Sequence, residues 1–487
     1  MNIKAKISFK YNPTEKKYTS QLLKVYFFWW NTSGENYFIN YINFVYNFDY
    51  ISIKTQYGKQ FVSENLNLQP NHKIFIMKMR IYHAMIASSL FFAGCSDNID
   101  ENLPETGEGS GLPPVETNAA NTSYSPAFPG QTRINGVKTI TPYQVTTLAT
   151  SLSSPWGITS MPDGRLLITQ KGGTMRIATS TGTLSNAIIG IHAVNSSGQG
   201  GLLGVCLDPQ FSSNRMIYWV FSENVAGGNQ TSVAKGKLSA SETAIENATV
   251  IYRANPSANV GTLHYGGRIV FDNTGNLLVS TGERSDLSTR PLAQSVTAAL
   301  GKILRITKDG AAAAGNPTFT QSGALPELYS IGHRNPQGLA IHPITGELWQ
   351  SEHGPRGGDE INRVQGGANY GWPTITYGIE YSGATIGAGI QQQTGMQQPA
   401  YYWDPVISPS GITFYRGNNI PEWQNNLFVA ALSGKHIARL VIQNDIVVGE
   451  ERLLADENQR FRDITQGTDN ALYAVTDEGR LYRIRKQ

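Results

Sequence analysis

One degenerate unit recurs along the C-terminal two-thirds of the chain and limits its fold more than any other feature. It reads Met161-Pro-Asp-Gly-Arg-Leu-Leu-Ile-Thr169, then Phe271-Asp-Asn-Thr-Gly-Asn-Leu-Leu-Val-Ser280, His342-Pro-Ile-Thr-Gly-Glu-Leu-Trp349 and Gly467-Thr-Asp-Asn-Ala-Leu-Tyr-Ala-Val475. In each, a turn built from Gly, Asp or Asn hands over to a short apolar strand. Hairpins repeated in this way are the signature of propeller blades. The ~350 residues from Thr139 onward suit six blades of roughly 50–60 residues each. The expected fold is therefore all-β: a six-bladed β-propeller of four-stranded antiparallel blades over residues 139–487. An array of β-sandwiches is the plainer alternative. With 50 glycines and only 15 % charged residues, the chain lacks the composition of a helical or coiled-coil protein. Gln294 to Ala299 is the best short helical candidate.

The chain ahead of the repeats has three parts. Residues 1–76 are rich in Asn, Tyr, Phe, Lys and Ile and carry few turn signals. They read either as a small extra domain or as upstream sequence preceding the true start. Residues 77–95 begin with Met77-Lys-Met-Arg80, continue as the apolar run Ile81-Tyr-His-Ala-Met-Ile-Ala-Ser-Ser-Leu-Phe-Phe92 and end in Ala93-Gly94-Cys95. A basic start, a short apolar run and small residues before a cut describe a secretory signal. The run is short for a bilayer span, and Ala-Gly-Cys is similar to a bacterial lipobox. The expectation is an exported protein, lipid-anchored at Cys95, with its propeller in the periplasm or at the cell surface. Residues 96–138 are rich in Gly, Pro, Ser and Thr and poor in large apolar side chains, so a flexible linker is expected there.

Cys95 and Cys206 form neither a disulfide framework nor a zinc site. Cys206, inside Gly201-Leu-Leu-Gly-Val-Cys-Leu207, reads as a small buried hydrophobe. A net charge of +3, with no Lys/Arg block, argues against a nucleic-acid partner.

Polar and charged groups gather in a few Gly-rich stretches: Gly198-Gln-Gly-Gly201, Leu263-His-Tyr-Gly-Gly-Arg268, Gly332-His-Arg-Asn-Pro-Gln-Gly338, Glu352-His-Gly-Pro-Arg-Gly-Gly-Asp-Glu-Ile-Asn362 and Arg460-Phe-Arg462. Loops of successive blades converge at one end of a propeller's channel, so residues scattered in this way fit a single site. With Pro155-Trp-Gly157, Leu300-Gly-Lys-Ile-Leu-Arg305 and Asn369-Tyr-Gly-Trp-Pro373, these motifs follow one another as in the soluble pyrroloquinoline quinone (PQQ)-dependent glucose and aldose sugar dehydrogenases. The sequence resembles that family from about Tyr143 to Ile484, its aldose sugar dehydrogenase branch most.

The resemblance implies PQQ- and calcium-dependent oxidation of an aldose at its anomeric carbon, giving a lactone and passing electrons to an external acceptor. His264 matches the catalytic base, and an imidazole suits that proton transfer. Its neighbour Leu263 stands where the glucose-specific branch has Asp. Gln199 matches a residue touching cofactor and substrate. Arg334 and Asn335 match residues beside the quinone oxygens, where a fixed guanidinium can steady developing negative charge. PQQ is a tricarboxylate, and Arg460 and Arg462, flanking Phe461, match its carboxylate-binding pair. Tyr381 matches a further cofactor contact. The family's lysine beside PQQ falls on Ser433, next to Leu432, with Lys435 two positions further as a replacement. Calcium is implied at the backbone carbonyls of Gly354 and Pro355, and a second calcium at Glu360 and the carbonyl of Tyr370. Expected partners are an aldose and an electron acceptor, with membrane contact through the lipid alone and no indication of oligomeric state. A calcium-dependent propeller lactonase or esterase and a non-catalytic glycan-binding propeller are the alternatives, since fold does not fix function.

Overall fold

The computed structural model describes residues 111–257 and 259–487 and, ahead of them, the backbone of four strands. Those strands, Gln21–Trp30, Asn36–Asn47, Tyr50–Tyr57 and Gln60–Asn67, pair in sequence order as an antiparallel sheet in a unit spanning Met1–Leu103. The segment expected as a lipoprotein signal, 77–95 with Cys95, lies outside the described residues, as do residues 96–110.

The second unit, Pro104–Gln487, contains the six-bladed β-propeller. The innermost strands of blades 1 to 6 are Pro155–Ser160, Leu202–Leu207, Ile269–Phe271, Pro336–Ile341, Pro409–Phe414 and Phe461–Gln466. Each blade is an antiparallel meander from the innermost strand outward. Blades 2 to 5 are built of four consecutive strands. In blade 1 the fourth position is filled by Leu184–Ile188, joined to the third strand through isolated bridges at Ala178 and Met175. Blade 6 takes its outer strand from the other end of the domain: Tyr143–Ala149 pairs with Leu481–Lys486. This closes the ring with backbone hydrogen bonds between sequence-distant segments, so neither end leaves an open sheet edge.

The recurring unit is explained by this architecture. Each copy is the turn and second strand of a blade: Leu166–Gln170, Leu277–Thr281, Leu348–Glu352 and Leu472–Thr476 in blades 1, 3, 4 and 6. All residues of these strands are buried, because each blade is packed on both faces by its neighbours. Blades 2 and 5 hide the unit. Their first turn is occupied by the helical turn Phe211–Asn214 in one and by the 3-10 turn Pro421–Trp423 in the other. The helical turn expected at Gln294–Ala299 falls instead on Arg290–Ala293, where Pro291 supplies the fixed φ favoured at the start of a turn. Cys206 is buried in the core beside Tyr218, as the sequence suggested, and burial pushes its thiol up.

Residues 111–138 correct the expectation of a flexible linker. They form a strap along blades 4 and 5, held by polar bonds where apolar side chains are scarce. Gln131 is fully buried, accepting from Ala127 N (2.7 Å) and donating to the Pro399 carbonyl (2.9 Å). Arg133 donates to the carbonyls of Glu116, Asn118 and Asp404. Glu116 is buried against Arg452 at 2.7 Å. Composition misleads here because backbone carbonyls and buried carboxylates, not large side chains, order the segment.

Candidate active site

First strands begin, and second strands end, at the same end of the ring, and a cavity of about 770 Å³ opens there. Of the residues expected at the site, Gln199, His264, Arg334, Gly354, Pro355, Tyr381, Leu432, Ser433, Arg460 and Arg462 line it. Five blades contribute these residues, so the topology gathers what the sequence scatters.

His264 is buried and sits in the left-handed backbone region at φ 48°. That conformation is uncommon for a residue with a Cβ and persists only when its surroundings hold it. Gln199 Oε1 accepts from His264 N at 2.8 Å. Behind it, the Gly282 backbone approaches so closely that a Cβ there would lie 2.1 Å from the His264 carbonyl oxygen. The ring is fixed from its other side, with Nδ1 2.5 Å from Glu283 Oε1. That oxygen also accepts from Ser285 N (3.1 Å), which makes it the acceptor for Nδ1–H and leaves the Nε2 lone pair free. Burial, reinforced by the Arg334, Arg284 and Arg290 cations, holds His264 well below the ordinary imidazole range. Burial pushes Glu283 up to about 7, with Arg334 the chief opposing influence. The pair is therefore a neutral imidazole oriented by a carboxyl group, the arrangement of a general base.

Cations converge on the cavity. Arg334 donates through Nη1 to the carbonyls of His353 (2.9 Å) and Gly354 (2.6 Å), and its backbone N donates to Glu352 Oε2 (2.6 Å). Its Nε and the Nε2 of His353 are buried without a hydrogen-bond partner. Arg460 and Arg462 share Asp477: Arg460 Nε lies 3.0 Å from Oδ2, and Arg462 grips both oxygens at 2.8 and 3.0 Å. Lys171 lines the same wall and donates to the Gly198 carbonyl; burial, then the nearby Arg462, lowers its pKa. Asp359 lies among them, its carboxyl pushed up to about 7 by burial although Gly354, Ile407 and Ser408 all donate to it.

Five expected residues stand elsewhere. Phe461 is fully buried in the core beside Tyr482, as strand alternation between two cavity arginines requires. Lys435 does not replace the lysine absent at Ser433: it turns from the cavity and donates to Asn458 Oδ1 at 2.9 Å. Asn335 is buried behind the lining, where its Oδ1 accepts from Gly266 N (3.0 Å) and so shapes the His264 loop. Glu360 and Tyr370 belong to a separate cluster. Asn362 Nδ2 bridges Glu360 (3.1 Å) and Glu352 (3.2 Å), and the Tyr370 ring stacks on His333, whose Nδ1 is 3.1 Å from Glu352. Burial and the Glu352 and Asp359 carboxylates hold Glu360 well above the ordinary carboxylate range. Among the described residues, no three His, Cys, Asp or Glu side chains are arranged around a metal position.

The sequence reading missed Glu283, Lys171 and Asp477. All three directly follow the end of a blade's second strand, and that position is the signal that would have found them.

Comparison with known proteins gives one consistent answer. Residues 152–483 match the Glucose / Sorbosone dehydrogenase family model. The chain is 40 % identical over 345 residues to the aldose sugar dehydrogenase YliI of Escherichia coli, covering 70 % of this chain and 92 % of that protein. It superposes on the crystal structure of the Escherichia coli soluble aldose sugar dehydrogenase in its apo form with a TM-score of 0.67 at 39 % identity, over 71 % of this chain and all of that one. On the PQQ-bound form of the Streptomyces coelicolor aldose sugar dehydrogenase the TM-score is 0.59 at 29 % identity, over 72 % of this chain and 99 % of that one.

Proposed function

This chain belongs to the glucose/sorbosone dehydrogenase family, and from that premise we propose that it oxidises aldose sugars at the anomeric carbon with PQQ and calcium. The observation that carries the reading is the His264–Glu283 pair in a cavity whose opposite wall is cationic. PQQ suits that cavity. A tricarboxylate needs fixed cations, and Arg460, Arg462 and Lys171 supply them. The orphaned Nε of Arg334 is a donor awaiting an acceptor. When bound, PQQ supplies a two-electron acceptor for hydride from the anomeric carbon.

The protein's own part is then clear. His264 Nε2 takes the anomeric hydroxyl proton as the C–H bond is broken, and the sugar leaves as the lactone. Glu283 steadies the charge the imidazole gains. Gln199 holds the His264 backbone in place. Arg334 offers positive charge where negative charge develops. The carbonyls of Gly354 and Pro355 suit a hard cation at the cavity. The Glu352–Glu360 pair, with Asn362 Oδ1 buried and unpartnered, suits a second. Family membership favours oxidation over the hydrolase and glycan-binding readings.

The test is dye reduction by the protein purified without cofactor. Turnover is expected with aldoses only after PQQ and calcium are both added. His264→Gln is expected to lose activity by about 100-fold or more while still binding PQQ. Full turnover in that variant overturns the mechanism.

A further inference from the structure

The cavity wall includes a residue from outside the family match. Asn121, on the strap, lines the cavity beside Arg356, 31 residues ahead of the first matched residue, 152. We propose that the strap is part of the substrate site, with Asn121 and Arg356 together determining which aldoses are accepted. The inference rests on the sugar-oxidising reading above and names residues that recognise the sugar away from its reacting carbon.

The geometry shows a built wall. Asp404 is buried and organises the strap: its Oδ1 accepts from Asn121 N (2.9 Å) and Nδ2 (2.8 Å), and its Oδ2 accepts from Thr122 N and Oγ1, both 2.9 Å. Four bonds to one carboxylate leave the Asn121 side chain little freedom. Its remaining polar atom, Oδ1, accepts from Arg356 Nε at 3.0 Å. The chain Asp404–Asn121–Arg356 therefore runs from a buried anchor to the cavity rim. Asn121 takes up one edge of the guanidinium, and the Arg356 terminal nitrogens remain as donors at an exposed position. Gln131, Arg133 and Glu116 fasten the strap on either side of this point, so it stays in register without contributing a strand to any blade.

A pre-oriented guanidinium suits sugar recognition, because vicinal hydroxyls accept paired hydrogen bonds and fixed donors lose less entropy on binding. Gln199 and His264 reach the cavity from the loops entering blades 2 and 3. Asn121 and Arg356 flank it from the blade 4 side, with Tyr381 exposed beside them. The reacting carbon belongs with His264, and the remaining hydroxyls of the sugar are left to the strap side. Asn121 is thus a positioning residue and Arg356 the group that meets the sugar.

The experiment is steady-state dye reduction by the full chain with PQQ and calcium, over a panel of mono- and disaccharide aldoses, for wild type, Asn121→Ala and Arg356→Ala. Each variant is expected to raise KM for the preferred aldose about 10-fold, with kcat within about twofold, which is the loss of one charge-assisted hydrogen bond. The order of preference among the sugars is expected to change, and calorimetric affinity for PQQ to stay at the wild-type value. Arg356→Ala removes an exposed side chain from the propeller itself, so it reads the effect even where Asn121→Ala loosens the strap. Unchanged KM values and preferences in Arg356→Ala, with an active wild type, overturn this inference and leave the dehydrogenase reading standing. A wild type that binds PQQ and oxidises no aldose overturns both.

Discussion

Glu283→Gln isolates the central claim about the base. Glu283 is almost fully enclosed and bears its charge at a cost, being pushed from 4.5 up to about 7 by burial. A raised carboxyl pKa means that the folded state holds its proton to higher pH than the unfolded state. Stability is therefore lost as pH rises from about 4.5 to about 7. At 1.36 kcal/mol per pH unit that gap is worth about 3 kcal/mol. Glutamine has no such ionisation. Its amide oxygen can still accept from His264 Nδ1 and Ser285 N, while its NH2 takes the place of the unpartnered Oε2. The stability difference between variant and wild type should shift in the variant's favour by about 3 kcal/mol between pH 4.5 and pH 8. Any fixed cost of the unpartnered amide is the same at both ends and cancels. Denaturant unfolding of the cofactor-free protein at the two pH values measures this.

The same variant should reshape the pH–rate profile. In the wild type a second proton on the pair disables the base wherever it lands. On His264 it occupies Nε2 directly; on Glu283 it turns the carboxyl into a donor to Nδ1 and forces the remaining imidazole proton to Nε2. The acid limb of kcat/KM should therefore fall near pH 7 in the wild type. In Glu283→Gln only His264 remains, and it is held well below the imidazole value, so the limb should move below about pH 6.5. The plateau rate should drop about 100-fold, because an amide does not stabilise the imidazolium as a carboxylate does. An acid limb that stays near 7 in the variant would refute the assignment of Glu283 as the partner of the base.

Two further outcomes test the frame around the site. Arg462→Lys keeps the charge and loses the two-pronged grip on Asp477 and the bond to Gln337 (2.9 Å), so calorimetric PQQ affinity should weaken about 10-fold; unchanged affinity would remove Arg462 from the cofactor pocket. Gly411→Ala would place a Cβ 1.7 Å from Asp463 Oδ1, displacing the carboxylate that pairs with buried Arg268, and should cost about 3–5 kcal/mol in denaturant unfolding; a neutral substitution would contradict the packing of blades 5 and 6.

What the sequence disclosed follows from which features have local causes. A hairpin turn followed by an apolar strand is a local pattern, so blades 1, 3, 4 and 6 could be read directly, while blades 2 and 5 were masked by helical turns in the same loop. Gln199, His264, Arg334, Arg460 and Arg462 were legible because they sit in compact motifs. The strap was misread because its order comes from Asp404, Tyr401 and Arg452, more than 250 residues away, and such bonds leave no local periodicity. Lys435 was misplaced for a related reason: its backbone enters the left-handed region at φ 53°, and the side chain leaves toward Asn458. Glu283 was overlooked although it lies only 19 residues from His264, because the two meet only once the first hairpin of blade 3 has folded.

That last case supplies a rule with reach beyond one residue. In a meander, the second strand of every blade runs back toward the end of the ring where the first strand began. Whatever follows the second strand is therefore delivered to the mouth of the channel. Lys171 follows Gln170, Glu283 follows Thr281, His353 follows Glu352, Leu432 follows Ala431 and Asp477 follows Thr476. All but Glu283 line the cavity, and Glu283 holds the residue that does. The repeat that identifies the fold thus also marks where polar residues can be placed without disturbing a blade's buried faces, and the chemistry of this site is gathered at those positions.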